Sequence, residues 1–450
     1  MDTDLHMGIV RVELTHTTAK DKRCMEETIR YYRDVVSFLL HVACDHLNEV
    51  RSWSSQNETN YMDELVHHTE NNPDPAYPTF DMLFNRFPSY FRRAAEHDAC
   101  GQVRSHESNC DNYEEWRDDL VSRGKHVKRM APRFTYTPNS CPTMYKGNMY
   151  KKDGCYARIK VRDGKAWRWI ALYMPTRDRK RLAKAASAGS IMNPALMHAY
   201  GKYYLVFPVK YKGTAFPKTS LDKQTVLGTD LGLNNGAVCS VVDAYGSIHG
   251  RYFSPFKAEM ARIDHIINLI RKKSRTSGTG QSLASLYTKL EGLKEDYCRR
   301  LSRWIVNRAI ENNVYGIVLE HLGKMKGRGR LASRVHHWCT AKIRDYVKGM
   351  AFRAGIRVFI INPRGTSMYA FNGSGEVSRD SSNYSLCTFA DGKRYNCDLS
   401  ASYNIGARYF LRALKKSTPA TEWSGLKVKI PELAKGTRWT LHTLRAIAAA

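Results

Sequence analysis

Three segments of this chain are apolar enough to be buried strands or a packed helix, and each carries one carboxylate in or beside the apolar run. Asp230 lies in "TVLGTDLGLNNGAVCSVVD", which reads as a strand, a sharp turn at "DLG" and a second strand. Glu320 closes the strand-like "YGIVLEHL", and Asp398 opens "CDLSASYNIGARYF", a helix start. A carboxylate at the end of a buried strand is costly without a cation or a donor beside it. Three of them brought together would repel one another unless a divalent ion neutralised them. Oxygen-only ligands favour Mg2+ or Mn2+, and a pair of such ions about 4 Å apart is a standard device for phosphodiester hydrolysis.

Charge points to a polyanionic partner. Lys and Arg number 71 against 43 Asp and Glu, leaving +28 over 450 residues. Nucleic acid is the usual partner of so basic a chain. No apolar run reaches the roughly 18 residues that a membrane span needs, so no membrane partner is expected. The N-terminal "MDTDLHMGIVRVELTH" has neither a basic n-region nor an apolar h-region. Eleven cysteines without a CxxC pair fit reduced thiols. A cytoplasmic, nucleoid-associated setting is expected.

The pattern upstream of the carboxylates changes twice. "GIVRVEL" reads as a strand. An amphipathic helix follows, with Met25, Ile29, Tyr32, Val36, Leu39, Ala43, Leu47 and Val50 on one face. Residues 20–130 read as a helical domain, and 131–222 as a β-rich domain with a turn at "RDGK", sharing its sheet with the strand in 1–19. From 223 strands alternate with helices. One helix carries Leu283, Leu286, Leu290, Leu293, Tyr297, Leu301 and Trp304, and another Val335, Cys339, Ile343, Tyr346, Met350 and Ala354. The last 35 or so residues read as a basic, weakly patterned tail.

The segments "GTDLGLNNGAV", "IVLEHL" and "CDLSASYNIGARY" resemble the three RuvC motifs of TnpB proteins and of the miniature type V CRISPR effectors related to them. The order Asp, Glu, Asp is similar, and so are the intervals of 90 and 78 residues. Trp338 and "GIRVFIINPRGTS" resemble the segment that leads to the third motif. The likeness is close over 223 to about 412 and only architectural upstream. It implies an α/β fold with added α and β parts: an RNase H-like RuvC nuclease domain preceded by a helical recognition domain and a β-barrel-like wedge domain. The nuclease domain would be 223–365 with a helical insertion, 366–396 a target-strand-loading insertion, 397–415 the third motif and 416–450 the tail. The resemblance assigns Asp230, Glu320 and Asp398 as catalytic and as Mg2+ (or Mn2+) ligands.

It further implies a guide RNA with a structured scaffold as cofactor and partner, and target double-stranded DNA with a short flanking motif. Base pairing would read the target. One departure stands out. Where relatives carry two CxxC pairs for zinc, residues 366–396 and the start of the next helix offer only Cys387 and Cys397. Tetrahedral zinc wants four N or S ligands, so zinc is not expected there. Arg379 and Arg394 are candidate phosphate contacts. Two other readings remain at this level: an RNA-guided DNA-binding protein that does not cut, and a guide-independent RuvC-type nuclease or resolvase. Whether the guide is transposon-encoded or CRISPR-derived is open, as is the oligomeric state.

Several features are read as ordinary. His336 and His337 beside Trp338 are surface or hydrogen-bonded histidines, since neighbours on a helix point apart. The runs "KHVKR", "RDRKRLAK" and "KGRGR" read as solvated faces, and the net charge makes them candidate phosphate contacts. Tyr31, Tyr32, Trp116, Trp167 and Trp169 could stack on bases, with core packing the expected role for most.

Overall fold

The computed structural model describes residues 5–53, 57–124, 126–127, 129–213, 216–232, 235–276, 281–322, 339–380, 383 and 385–450. His336, His337, Trp338, Val335 and the "KGRGR" run lie outside them. The described chain divides into two units: Met7–Tyr211, and the remaining residues.

In the first unit, helices Ala19–Asp45 and Ser89–Ser122 pack on each other. The first is started by a capping box: the Thr18 hydroxyl accepts from the Asp21 amide at 3.1 Å and the Asp21 carboxylate accepts from the Thr18 amide at 3.0 Å. Met25, Ile29, Tyr32, Val36, Leu39 and Ala43 are buried on it. The chain breaks at His46, so Val50 reaches the core from a separate helix, Leu47–Ser52. The strands are β1 (Leu5–Leu14), β2 (Tyr150–Asp153), β3 (Tyr156–Asp163), β4 (Ala166–Tyr173), β5 (Gly189–Ile191), β6 (Ala195–Ala199) and β7 (Lys202–Lys212). They form a β2-β3-β4 meander and a second sheet in which β7 joins β1 to β5 and β6. The leading strand therefore shares a sheet with the later ones, as its pattern suggested. The "RDGK" turn is a two-residue hairpin, closed by the pair Asp163↔Ala166 with Gly164 at φ +65. The "RDRKRLAK" run, read only as basic, is the helix Thr176–Ala188. It buries Leu182, Ala185 and Asp178, whose carboxylate accepts the Glu13 amide at 3.0 Å.

The aromatics named above follow their packing role in most cases. Tyr32 is buried, and Trp167 packs on Phe87 and Phe91. Tyr31 packs edge-on against Phe84 and Phe87 beneath Arg162, whereas Trp116 and Trp169 lie under Arg129 and Lys151.

The second unit is built on a five-stranded sheet in the order β10-β9-β8-β11-β12, made of β8 (Thr225–Gly232), β9 (Gly236–Asp243), β10 (Ile248–Phe253), β11 (Gly316–Glu320) and β12 (Arg357–Ile361). β8, β9 and β10 are antiparallel neighbours, whereas β11 runs parallel to both β8 and β12. Side chains alternate across the sheet. Leu227, Leu231, Cys239, Val241, Ile317 and Leu319 face a core completed by the helices Gln281–Glu311 and Thr340–Arg353. Val226, Val238, Val242 and Val318 face the helix Cys397–Ser417. The sheet is thus covered on both faces, which is why its strands read as nearly continuous apolar runs.

Two expectations change here. Asp230 does not crown a turn at "DLG". The strand continues through it, pairing Asp230↔Val238, and ends at Gly232↔Gly236. Residues 416–450, read as a basic and weakly patterned tail, are ordered. They form the helices Ala420–Lys429 and Leu441–Ala448. Trp423, Leu433, Trp439, Leu441 and Leu444 are buried against the outer side of the Cys397–Ser417 helix. Their basic residues occupy the exposed positions between these anchors, which masks the apolar pattern in the sequence.

Residues between β12 and that helix carry a small sheet of β13 (Ser378–Arg379), β14 (Leu386–Thr388) and β15 (Arg394–Asn396). Ala370, Phe389, Cys387 and Cys397 form its apolar centre, with Phe371, Val377 and Tyr395 packed on it.

Candidate functional site: three carboxylates at one end of a sheet

Asp230 and Glu320 stand side by side at the same end of two neighbouring parallel strands. The register pairs Thr229 with Leu319, so the next residues of β8 and β11 are these two acids. Asp398 reaches them from the first turn of the Cys397–Ser417 helix, whose N-cap is Asn396.

Two glycines allow that approach. A Cβ on Gly228 would lie 2.3 Å from the Ser402 carbonyl oxygen and 2.7 Å from the Gly406 nitrogen. A Cβ on Gly406 would lie 2.8 Å from a Val242 methyl. Helix and strand are therefore in backbone contact at Gly228. They run antiparallel, because a Cβ on Gly232 would lie 3.5 Å from an Asp398 oxygen. Four residues of strand and eight of helix both span roughly 12–13 Å. Contact at Gly228–Gly406 therefore carries Asp398 to the Asp230 end of β8.

The site is negative and poorly compensated. Burial pushes the Asp230 carboxyl well above its ordinary range, and Glu320 and Asp398 push it further, with Arg379 opposing. Burial raises Glu320 to about 7, opposed by a hydrogen bond from the Thr366 hydroxyl at 2.5 Å and by the Arg408 guanidinium. Burial also raises Asp398, against the Asn235 amide, which donates to it at 2.7 Å, and against Arg379. Among the described residues, no lysine or arginine makes an ion pair with any of the three. An all-oxygen donor set with unbalanced negative charge fits a hard divalent cation. The ligand atoms of His106, Glu107 and Cys110 also lie within 4.8 Å of one another. In the His106 group, Glu107 is engaged by Arg51 and Cys110 contacts His106 at 3.4 Å.

The two arginines separate. Arg379 lies close enough to act on Asp230 and Asp398, and donates to the Ser367 carbonyl at 3.4 Å. Arg394 instead pairs with Asp380 at 3.3 Å. The Cys387 thiol donates to the Tyr395 carbonyl at 3.5 Å, and Cys387 and Cys397 share the small apolar centre.

Four polar residues of the site escaped sequence reasoning: Asn235, Thr366, Asn404 and Arg408. Asn235 and the last two lie within motif segments. Arg408 falls on the inward face of its helix, and an arginine at an apolar helical position is a usable signal. Thr366 lies in "GIRVFIINPRGTS", but nothing in that segment marks its hydroxyl as a partner of Glu320.

The described chain has a mixed α/β architecture with several sheets and many helices. Among solved structures, the chain matches CasPhi-2 (Cas12j) bound to crRNA and phosphorothioate-DNA with a TM-score of 0.50 at 10% identity, covering 90% of this chain and 91% of that one. CasPhi-2 bound to crRNA gives 0.45 at 12% identity, covering 91% and 98%. A Cas12f1–sgRNA–target DNA complex gives 0.32 at 12% identity, covering 89% and 99%. The first of these supports a shared fold, and at such low identity it supports the fold alone. The Aq_aa04 family model matches residues 8–163, within the first unit and its leading strand. No curated protein matches the chain.

Proposed function

We propose that this chain is an RNA-guided DNA endonuclease, akin to the TnpB-like proteins and miniature type V effectors, with a single RNase H-like RuvC site. The observation that carries the proposal is the convergence of Asp230, Glu320 and Asp398 at one end of a β10-β9-β8-β11-β12 sheet. That strand order, with the first three strands antiparallel and the last two parallel, is RNase H-like. The fold shared with CasPhi-2, which binds crRNA and DNA, and the net charge of +28 support the nucleic-acid reading.

In this reading Asp230 and Glu320 are rigid ligands on the sheet, and Asp398 closes the site from the helix. Mg2+ or Mn2+ bound there would supply activation of water and stabilisation of the leaving oxygen at a DNA phosphodiester. Asn235 holds the Asp398 carboxylate in its rotamer. Arg379 would contact a phosphate; among the described residues its guanidinium makes no ion pair with the three acids and donates to the Ser367 carbonyl. The basic surfaces of both units would bind guide and target through phosphate contacts, and pairing with the guide would select the sequence.

Sequencing the RNA that copurifies with the protein from a host carrying its native locus tests the guide. One abundant species joining a structured scaffold to a variable segment of about 20 nucleotides is expected. Its source assigns a transposon or CRISPR origin. Heterogeneous fragments removed by salt would overturn RNA guidance and favour a guide-independent nuclease.

A further inference from the structure

Glu320 is positioned by a layer of polar side chains that connects it to the C-terminal segment. Thr366 is 2% exposed and its hydroxyl has two acceptors: the Glu320 carboxylate at 2.5 Å and the Pro363 carbonyl at 2.7 Å. A hydroxyl has one proton to give, and an ionised carboxylate is the stronger acceptor. Thr366 sits on the loop after β12, and that loop is held from behind. The Asn404 amide donates to the carbonyls of Thr366 and Tyr369, each at 2.9 Å, and its oxygen accepts the Leu441 amide at 3.0 Å. The buried Arg408 guanidinium donates to four carbonyls: Asn362 at 3.1 Å, Arg364 at 2.9 Å, Thr437 at 2.9 Å and Trp439 at 3.1 Å. Gly365, at φ +83, admits the Thr437 carbonyl where a Cβ would come within 2.1 Å of it. Two long polar side chains of the Asp398 helix fix one loop, and the loop presents one donor to Glu320.

We propose that Thr366 is a positioning residue for Glu320, aligning its carboxylate for a cation, and that Asn404 and Arg408 hold it there by binding the loop backbone. This rests on the reading of Glu320 as a metal ligand. Outer hydrogen-bond partners of metal-binding carboxylates orient them and set affinity. Thr366→Val keeps the shape and removes the donor, whereas Thr366→Ser keeps the donor and removes a methyl.

The test measures Mn2+ affinity by electron paramagnetic resonance, together with the Mg2+ dependence of target cleavage, for wild type and both variants, with Asp230→Ala as control. Thr366→Val should bind Mn2+ roughly 10-fold more weakly and need correspondingly more Mg2+ for cleavage, with guide and target binding unchanged. Thr366→Ser should restore both towards wild type. Equal Mn2+ affinity in wild type and Thr366→Val would overturn the proposal, as would a serine variant no better than valine. A wild type that binds Mn2+ through Asp230 yet cuts nothing would refute the nuclease reading while leaving the affinity test of Thr366 readable. A wild type that does not bind Mn2+ at this site would overturn both.

Discussion

Replacing Glu320 by glutamine should make the cation-free protein more stable at neutral and higher pH, and the gain should disappear in acid. Glu320 titrates near 7 in the folded chain instead of its ordinary 4.5, because burial disfavours the charged form more than Thr366 and Arg408 favour it. Between those two values the folded state holds a proton that the unfolded state has released. Stability therefore falls as pH rises through this window. Below it both states are protonated and the penalty vanishes; above it both are ionised and the penalty is full. At about 1.36 kcal/mol per pH unit the full penalty is roughly 3 kcal/mol. The residue is nearly inaccessible, so solvent screening does little to reduce that figure. Urea unfolding of wild type and Glu320→Gln in chelator, from pH ~5 to ~8, reads the difference directly; it cancels groups remote from the site and includes the relief of Asp230, which Glu320 pushes up. The stability advantage of the variant should grow with pH by about that amount, and Mg2+ should shrink it by stabilising wild type alone. A constant difference across the range, or one that reverses sign, would refute the electrostatic account of the site.

Three further outcomes follow from the packing and charge. Gly228→Ala would force a methyl against the Ser402 carbonyl, and should lower stability by at least ~2 kcal/mol, read by denaturant midpoint, with Asp398 displaced from the site. Deleting residues 419–450 removes Trp423, Leu433, Trp439, Leu441 and Leu444 from the core, so the shortened chain should bind hydrophobic dye or precipitate; a soluble, dye-silent product would contradict the assignment of this segment to the core. Binding of RNA should weaken steeply as salt rises, with a log–log slope of several units, and a flat dependence would argue against phosphate contacts as the source of affinity.

Much of the site was visible in the sequence because its chemistry conflicts with its surroundings. Taken alone, Asp230 reads as a turn or cap, Glu320 as a strand-end ion pair and Asp398 as an N-cap; the three together, in order beside apolar segments, marked the candidate site. The periodic faces of Ala19–Asp45 and Gln281–Glu311 were equally legible, since burial follows the 3.6-residue repeat. What was not legible depends on tertiary contact. The "DLG" stretch looks like a turn, yet β9 pairs with it through Gly232. The C-terminal 35 residues hide their anchors among lysines, because only scattered residues face inward. Thr366 is an unremarkable hydroxyl until the fold brings it to an acid 46 residues away.

The claim that most needs a direct answer is that these carboxylates cut DNA. The measurement is cleavage of a guide-matched duplex by the purified protein–RNA complex in Mg2+, with Asp230→Ala beside it and target binding followed on the same samples. The account predicts cutting that requires both the matching guide and Mg2+, is lost in Asp230→Ala, and leaves binding intact. Equal cutting by Asp230→Ala would contradict the site, and guide-dependent binding with no cutting by wild type would leave an RNA-guided binding protein in place of a nuclease.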